Sequence, residues 1–414
     1  MKKIWFLLLF PLILTSCSKN DDQGLTKVHL TNQKGFVETV TNKERLKEFE
    51  NENALLHQPH KKIARVYKKG LENRTVITTY HPNGQIYQLL ESVGNKAYGN
   101  YKEWYPTGIL KIQAFVIKGI PDIDISGQNS WAFEGKNEAF DQEGKLAASF
   151  NYLNGELMGD SIVYYPSGKI KEIKPYQNNL LHGLVESFDQ KGASLEKTHY
   201  EMGIKVGYSY KYWKKNRPAS EEKFDDGALE SGVYFNSLGK LVSQVKKGVG
   251  KRALFQNDLS YELHEYVNGR PEGLVEIFDH DGHLTNSYYN RNGMKNGVET
   301  VYFSKSKQKM LSIEWVNDKI HGKACTWYFN GNLESEKEMS LNKKQGISTA
   351  WYKDGSLMLI EEYDSNRLIK GKYFEKGNPN PISTLSKGTG LVTLFDSNGI
   401  FMKKIEYSGG RPVE

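Results

Sequence analysis

A glycine recurs along this chain at a spacing of 24 residues, and this period constrains the fold more than any other feature. Gly84 and Gly108 are 24 positions apart, as are Gly144 and Gly168, and Gly192 follows at the same distance. A constant period of this length without heptads predicts a repeat array, in which each unit buries its apolar surface against its neighbours. The chain has 414 residues, which is long enough for many such units.

The residues around each glycine predict a β-hairpin. In "HPNG" (81–84) and "YPSG" (165–168), proline fits the first central position of a type I turn, and glycine takes the left-handed position that follows. The residues after the turn alternate, as in "KIKEIKPY" (169–176), which is the period of a strand. Short connections make neighbouring strands antiparallel. We therefore predict an all-β fold: an elongated, twisted antiparallel β-hairpin repeat array, a single-sheet meander with a period of about 24 residues.

Composition supports this prediction. Aromatic residues make up 12% of the chain, with 25 tyrosines and 39 glycines. This pairing is typical of many short strands joined by tight turns, and it disfavours disorder over the whole length. The formal net charge of +7 is small for a chain of this size. It gives no support for nucleic acid as a partner.

The N-terminus is similar to a bacterial lipoprotein signal. A basic "MKK" precedes the apolar stretch "IWFLLLFPLIL", and "LTSC" then ends at Cys17. The stretch is too short for a comfortable membrane span, and small residues before a cysteine resemble the lipobox. We expect residues 1–16 to be a signal peptide and Cys17 to be the acylated first residue of an outer-membrane lipoprotein. The acidic tract after Cys17 resembles a surface-export signal, and periplasmic and surface orientations both stay open.

The remaining chain divides into three predicted parts. Residues 17–36 are polar and are predicted to be a tether, and residues 37–64 are predicted to be an N-terminal cap with one short helix that begins after Asn42. Residues 65–414 are predicted to form the repeats. Irregular segments near 118–131 and 246–258 interrupt the rhythm.

The second loop of each unit carries a family resemblance. An aromatic residue, an Asn-Gly or similar pair and a glycine four residues on appear in "YLNGELMG" (152–159), "YEMGIKVG" (200–207) and "YVNGRPEG" (266–273). In tandem, this pattern resembles the MORN repeat (membrane occupation and recognition nexus). It is most similar to the variant found in bacterial lipoproteins and in antitoxin-type proteins. The resemblance covers about residues 65–414, and it implies a non-enzymatic β-hairpin protein.

The sequence gives no sign of an active site or of a cofactor. It has no P-loop, no GxGxxG, no HExxH, no GxSxG and no CxxC. The most metal-like string is "FDHDGHL" (278–284), but strand alternation would place some of these side chains on opposite faces, so we expect no metal. Cys325 is expected to pack in a strand. We predict that the protein is not an enzyme.

Exposed aromatic side chains are the one candidate for a binding surface. The alternative is that they only pack across strands, and a surface that holds them would fit another protein best. We therefore predict a membrane-anchored scaffold that binds a partner protein at the cell envelope. The alternatives are an antitoxin or immunity protein, and a glycan- or lipid-binding protein. The candidate residues are Trp104, Tyr105, Tyr210, Tyr212, Trp213, Trp327, Tyr328, Trp351 and Tyr352.

Overall fold

The structure is a computed structural model that describes residues 24–50, 56–69, 72–256 and 260–413. The predicted signal peptide and Cys17 lie outside the described residues. The chain divides into two compact units, Met1–Leu181 and His182–Glu414. Each unit is built almost entirely from antiparallel hairpins that follow one another along the chain. The prediction of an all-β meander is confirmed.

In the first unit, the sheet begins at one edge with β2, next to β1 and then β3, and from β3 onward the strands follow chain order. Two short α-helices and one 3₁₀ helix (Lys47–Phe49) interrupt the strands. The α-helices are α1 Lys43–Leu46 and α2 Ile125–Asn129. The strands are β1 Leu25–Thr31, β2 Val37–Val40, β3 Lys62–Lys69, β4 Glu72–Tyr80, β5 Ile86–Val93, β6 Lys96–Trp104, β7 Leu110–Lys118, β8 Ala132–Phe140, β9 Leu146–Leu153, β10 Glu156–Leu157, β11 Gly159–Tyr164, β12 Ile170–Gln177 and β13 Leu180–Leu181.

In the second unit, consecutive strands pair antiparallel, and a 3₁₀ helix (Lys214–Asn216) stands at one turn. The strands are β14 Gly183–Phe188, β15 Ser194–Glu201, β16 Ile204–Trp213, β17 Arg217–Asp225, β18 Ala228–Phe235, β19 Leu241–Lys246, β20 Val249–Phe255, β21 Tyr261–Val267, β22 Arg270–Phe278, β23 Leu284–Arg291, β24 Met294–Lys295, β25 Gly297–Tyr302, β26 Lys309–Val316, β27 Lys319–Trp327, β28 Leu333–Ser340, β29 Lys343–Trp351, β30 Leu357–Asp364, β31 Arg367–Phe374, β32 Pro381–Ser386, β33 Thr389–Phe395, β34 Phe401–Ser408 and β35 Arg411–Pro412.

The first turn of the repeat has the predicted hydrogen bonds and backbone conformation. In the turn after β4, the Gly84 N–H donates to the His81 carbonyl at 2.8 Å, and the His81 N–H donates to the Gln85 carbonyl at 2.8 Å. Gly84 has φ +82°, and the strand register shifts by one residue beside it. This is a type I turn closed by a glycine bulge. Where the period places Asn216 instead of glycine, φ is +56°, as expected of a degraded turn.

The glycine that follows the second turn makes room for a carboxylate. A Cβ on Gly99 would lie 2.6 Å from Glu91 Oε2, and that oxygen accepts the N–H of Asn100 at 2.9 Å. Burial raises the pKa of Glu91, but the bonds from Asn100 and Arg74 outweigh burial and hold this pKa below its usual range. The glutamate thus satisfies a strand N–H that the bulge leaves without a backbone acceptor. The same bond joins Glu265 to Leu274 and Glu338 to Ile347.

Small hydroxyl side chains line the middle of the buried sheet face. Thr198 and Ser209 are each 1% exposed, and their oxygens lie 2.8 Å apart. Thr326 and Ser335 form the same contact at 2.8 Å. Pairing satisfies hydroxyls that burial removes from water. The larger apolar side chains gather in separate clusters, which in the second unit lie around Tyr234 and around Tyr373.

Two segments of the second unit contain the same interlocked pair of turns. The Gly248 N–H donates to the Glu230 carbonyl, and the Gly269 N–H donates to the Gly248 carbonyl at 2.9 Å. About 140 residues later, the Gly410 N–H donates to the Gly388 carbonyl, also at 2.9 Å. A Cβ on Gly248 or Gly388 would lie 2.6 Å from the N of the partner turn, so only glycine fits at these crossings. The first of these crossings explains the broken rhythm near 246–258.

The structure corrects the predicted tether. Residues 25–31, inside the range 17–36, form β1 and pair with both β2 and β3. Val28 and Leu30 alternate toward the core and are 0% and 3% exposed, a period-2 signal that the polar flanks obscured. The helix after Asn42 is confirmed, because the Asn42 side chain accepts the Glu44 N–H at 2.9 Å. The irregular segment 118–131 contains α2.

Candidate functional site

The structure places the nine candidate aromatic residues in two environments. Trp104 and Tyr328 are each 8% exposed, and Tyr352 is 0% exposed. These three side chains support the fold and leave no ring face for a ligand. The other six are half-buried: Tyr105, Tyr210, Tyr212, Trp213, Trp327 and Trp351.

The tyrosines at the start of a first turn connect neighbouring hairpins. The hydroxyl of Tyr328 donates to the Trp351 carbonyl at 2.8 Å, and the hydroxyl of Tyr352 donates to the Phe374 carbonyl at 2.7 Å. Tyr105 donates to the Phe140 carbonyl at 3.0 Å in the same way. Each hydroxyl thus donates a hydrogen bond to a backbone oxygen of the next hairpin. This bond to the neighbouring hairpin explains why tyrosine stands at this position. The residues adjacent to the tyrosine in the sequence do not reveal the bond.

Other first turns fill the same position with aspartate or asparagine. The Oδ1 of Asp189 accepts the N–H of Lys191 at 2.8 Å and of Ala193 at 2.9 Å. These backbone bonds hold the pKa of Asp189 below its usual range. In such a turn the first side chain bonds to the backbone of its own turn, whereas the tyrosine hydroxyl bonds to the next hairpin. Asp141, Asn236, Asp279 and Asp396 do the same.

Strand β16 carries an accessible aromatic pair, made of the candidate residue Tyr210 and of Tyr208, which is not one of the nine candidates. Tyr208 and Tyr210 stack with ring centroids 6.0 Å apart and an interplanar angle of 15°, and Tyr208 is 49% exposed. They point away from the buried face, because Ser209 between them is 1% exposed. The strand pairs on both sides, with β15 and β17. We call Tyr208 and Tyr210, with the charged side chains that flank them on β15 and β17, the tyrosine face.

The rim of the tyrosine face is made of ion pairs. Lys197 lies 3.0 Å from Glu186, and Lys223 lies 2.6 Å from Glu230. Lys211, which lies on the opposite face of β16 with Ser209, is 3.7 Å from Glu196. Of the lysines in "YKYWKKNR", Lys211 is balanced by Glu196 and does not belong to the tyrosine face. Tyr212 and Trp213 face a different environment, where Trp213 Nε1 donates to the Phe235 carbonyl at 2.9 Å.

The comparison with protein families fits this hairpin geometry. The family model of the MORN repeat variant matches residues 97–118, 159–178 and 320–340. These matches support a MORN-repeat protein. All three matched segments contain a complete first turn with its flanking strands: β6–β7, β11–β12 and β27–β28. A search of curated proteins returned no match.

A buried ionic cluster joins strands β17, β18, β20 and β21. Glu222 is 2% exposed, and both its oxygens bind Arg252, at 2.6 Å to Nε and 3.0 Å to Nη2. Tyr234 also donates to Glu222, at 2.8 Å. Burial lowers the pKa of Arg252, but its bonds to Glu222 outweigh burial and raise it overall. A bidentate pair of this kind holds the strands in register and offers no free base.

The remaining reactive side chains do not form a catalytic arrangement in the described part of the chain. Burial raises the pKa of the Cys325 thiol, and the nearby Glu336 raises it further, so the thiol is not activated. Asp279, Asp281 and His283 offer ligand atoms within 4.8 Å of one another. The predicted separation of these side chains by strand alternation is wrong, because they lie at a turn between β22 and β23. Asp279 Oδ1 already accepts two backbone N–H groups, and Lys305 pairs with Asp281 at 3.0 Å.

No helix among the described residues is both long enough and apolar enough to cross a membrane. Any contact with a membrane through Cys17 lies outside the described part of the chain.

Proposed function

We propose that this protein is a lipid-anchored, non-enzymatic MORN-type scaffold that binds another protein at the cell envelope through the tyrosine face. The observation that carries the proposal is the accessible stack of Tyr208 and Tyr210 on a strand that is already paired on both sides. Such a strand cannot recruit a partner by adding a backbone edge. Its side chains must do so, and tyrosine is enriched where protein interfaces gain most of their affinity.

The charge arrangement around the stack supports a protein ligand. An interface typically has an apolar centre and a polar rim, and the stack is flanked by Lys197, Lys223 and their glutamate partners. Balanced pairs of this kind fix orientation more than they raise affinity. Nucleic acid would instead require a net basic surface, which this face lacks.

The anchor is the second part of the proposal. Cys17 would carry the acyl chains, and more than one chain is needed for stable attachment. Attachment would keep the scaffold at one membrane, so its partner would belong to the same compartment. An immunity role is the alternative within this proposal, in which the partner is a toxin.

A crosslinking pull-down from native cells tests the proposal. The tagged full-length protein is compared with Cys17→Ala, with the double variant Tyr208→Ser/Tyr210→Ser, and with Tyr289→Ser. Tyr289 is the matched control, because it is 48% exposed on another strand of the same unit. Circular dichroism checks that every variant keeps its strands.

We expect one protein to be recovered in stoichiometric amount with the wild type and with Tyr289→Ser, and to be lost with the double variant. The Cys17→Ala form is expected to leave the membrane fraction. Recovery of a toxin would assign the immunity role. Recovery that is unchanged by the double variant would overturn the tyrosine face, and recovery of no protein would overturn the scaffold.

A further inference from the structure

In several hairpins the second residue after the two-residue turn points into the fold. Ala97, Leu229 and Leu368 occupy this position and are each 0–1% exposed. In three hairpins of the second unit the position is a lysine instead: Lys205, Lys295 and Lys344. A half-buried lysine in an apolar row costs free energy unless it finds an acceptor or a ligand.

Two of these lysines have an acceptor in the fold. Lys295 Nζ lies 2.9 Å from Glu299 Oε1, and Lys344 Nζ lies 3.2 Å from the Tyr363 hydroxyl. Tyr363 pairs across the strands with Gly346. In the earlier hairpin the corresponding partner of Gly207 is Phe224, which has no hydroxyl.

Lys205 therefore has no hydrogen-bond acceptor among the residues that the structure describes. Its Nζ lies 5.3 Å from the centroid of the Phe224 ring and 6.0 Å from that of Tyr200. Burial lowers the pKa of Lys205, and the Arg252 charge lowers it further. Ring faces compensate only part of the lost hydration.

Lys205 lines a cavity of about 660 Å³ between turns of the second unit. Arg252 and the exposed Arg270 line the same cavity, and Arg270 also has no acceptor in the described ranges. Glu272 is on the wall, where its carboxylate accepts the Asn292 N–H at 3.0 Å. Arg252 is neutralised by Glu222. Three cations against two carboxylates leave one positive charge, which matches a single carboxylate better than a dianionic phosphate.

We propose that this cavity is a binding site for a small acidic sugar, whose carboxylate is held by Lys205 and Arg270. The cavity is several times larger than a carboxylate, so it also holds the body of the ligand. Pro271 gives an exposed apolar surface on the wall, and Asn292 and Glu272 give polar groups. A pyranose ring has one face of C–H groups and an edge of hydroxyls, which suits walls of this kind. This site is separate from the tyrosine face and does not depend on the protein partner.

Isothermal titration of the full-length protein tests the site. The probes are glucuronate, glucose as its neutral match, inorganic phosphate, and an acetylated glutamate-containing peptide. We expect glucuronate to bind and glucose not to bind. Lys205→Met is expected to weaken glucuronate roughly tenfold or more, the usual effect of losing a charge-assisted bond. Lys344→Met, the matched control, is expected to leave binding unchanged.

A second variant keeps the charge and changes only the acceptor. Phe224→Tyr gives Lys205 the internal hydroxyl that Lys344 already has, so we expect it to weaken glucuronate binding with no loss of thermal stability. Binding of the peptide or of phosphate in place of glucuronate would overturn the acidic-sugar assignment. Binding of glucose as tightly as glucuronate, or equal binding by wild type and Lys205→Met, would overturn the site. Failure here leaves the pull-down result unaffected, so the two proposals fail separately.

Discussion

Residues 222–271 and 361–412 contain the same pair of interlocked turns beside a glutamate, Glu222 or Glu361, but the two glutamates are hydrogen-bonded in different ways. Glu222 is bound by Arg252 and by the Tyr234 hydroxyl. Glu361 accepts from two tyrosines instead, Tyr363 and Tyr373, each at 2.9 Å. The second arrangement uses only neutral donors.

The Tyr363 hydroxyl connects Glu361 to Lys344, the lysine of the preceding hairpin. Tyr363 donates to Glu361 and also accepts from Lys344 at 3.2 Å, so carboxylate, phenol and ammonium form one chain. With Phe224 in the corresponding place, Glu222 needs Arg252, and Lys205 is left facing the cavity. The hydroxyl of Tyr363, which Phe224 lacks, thus distinguishes the hydrogen-bonded Lys344 from Lys205.

The largest effect is expected from breaking the ion pair. Arg252→Val places in the first segment the residue type that stands at the corresponding position 392 of the second. Because it leaves Glu222 buried and unpaired, we expect a loss of about 3–5 kcal/mol in the free energy of unfolding. Urea denaturation followed by tryptophan fluorescence measures it. Adding Phe224→Tyr is expected to recover part of the loss, and no recovery would contradict the comparison.

Removing one hydroxyl from the neutral arrangement is expected to cost less. Tyr373→Phe deletes a bond to the Glu361 carboxylate at a side chain that is 1% exposed, so we expect a loss of about 1.5–3 kcal/mol. The same denaturation experiment applies. Tyr407→Phe is the control, because Tyr407 packs against the same cluster without a bond to Glu361 among the described contacts. An equal loss for both variants would mean that ring packing dominates.

Alkaline pH is expected to reduce the stability that the bonds from Tyr363 and Tyr373 to Glu361 contribute. Burial and the Glu361 charge raise the pKa of Tyr363 and of Tyr373 above the ordinary value of 10.0. The folded state therefore keeps protons that the unfolded state releases. This contribution to stability is complete below about pH 10 and is lost as the pH rises above it. The cost of Tyr373→Phe should shrink between pH 8 and pH 11, and a constant cost would argue against the shift.

The smallest expected effects on stability have opposite signs for substitutions of Lys205 and Lys344. Lys205→Met removes a half-buried cation without an acceptor, so we expect stability to rise by about 0.5 kcal/mol. Lys344→Met breaks its bond to Tyr363 and is expected to lower stability by a similar amount. Thermal unfolding in ligand-free buffer gives both values. The same sign for both would show that the Tyr363 hydroxyl does not distinguish these positions.

The turns and the alternating strands could be predicted because each depends on adjacent residues. Glycine, asparagine and proline fix the backbone locally, and the pattern repeats often enough to identify its period. The burial of Thr198, Ser209 and Tyr352 could not be predicted in the same way, since it depends on which strand lies beside them. The lone position of Lys205 depends on residue 224, which is nineteen positions away. In addition, β1 was hidden in a polar segment that pairs with β3 from more than thirty residues away.

The two kinds of first turn have an evolutionary consequence. A turn that begins with Asp189 or Asp279 satisfies its own backbone through the aspartate, so this side chain needs no donor in the neighbouring hairpin. Recombination at these turns could duplicate or delete hairpins and leave the hydrogen bonds of the aspartate side chain intact. A hairpin that ends at Tyr328 or Tyr352 must be inherited together with its neighbour, because its hydroxyl is bonded there. The aspartate turns are therefore the places where such an array can change its length.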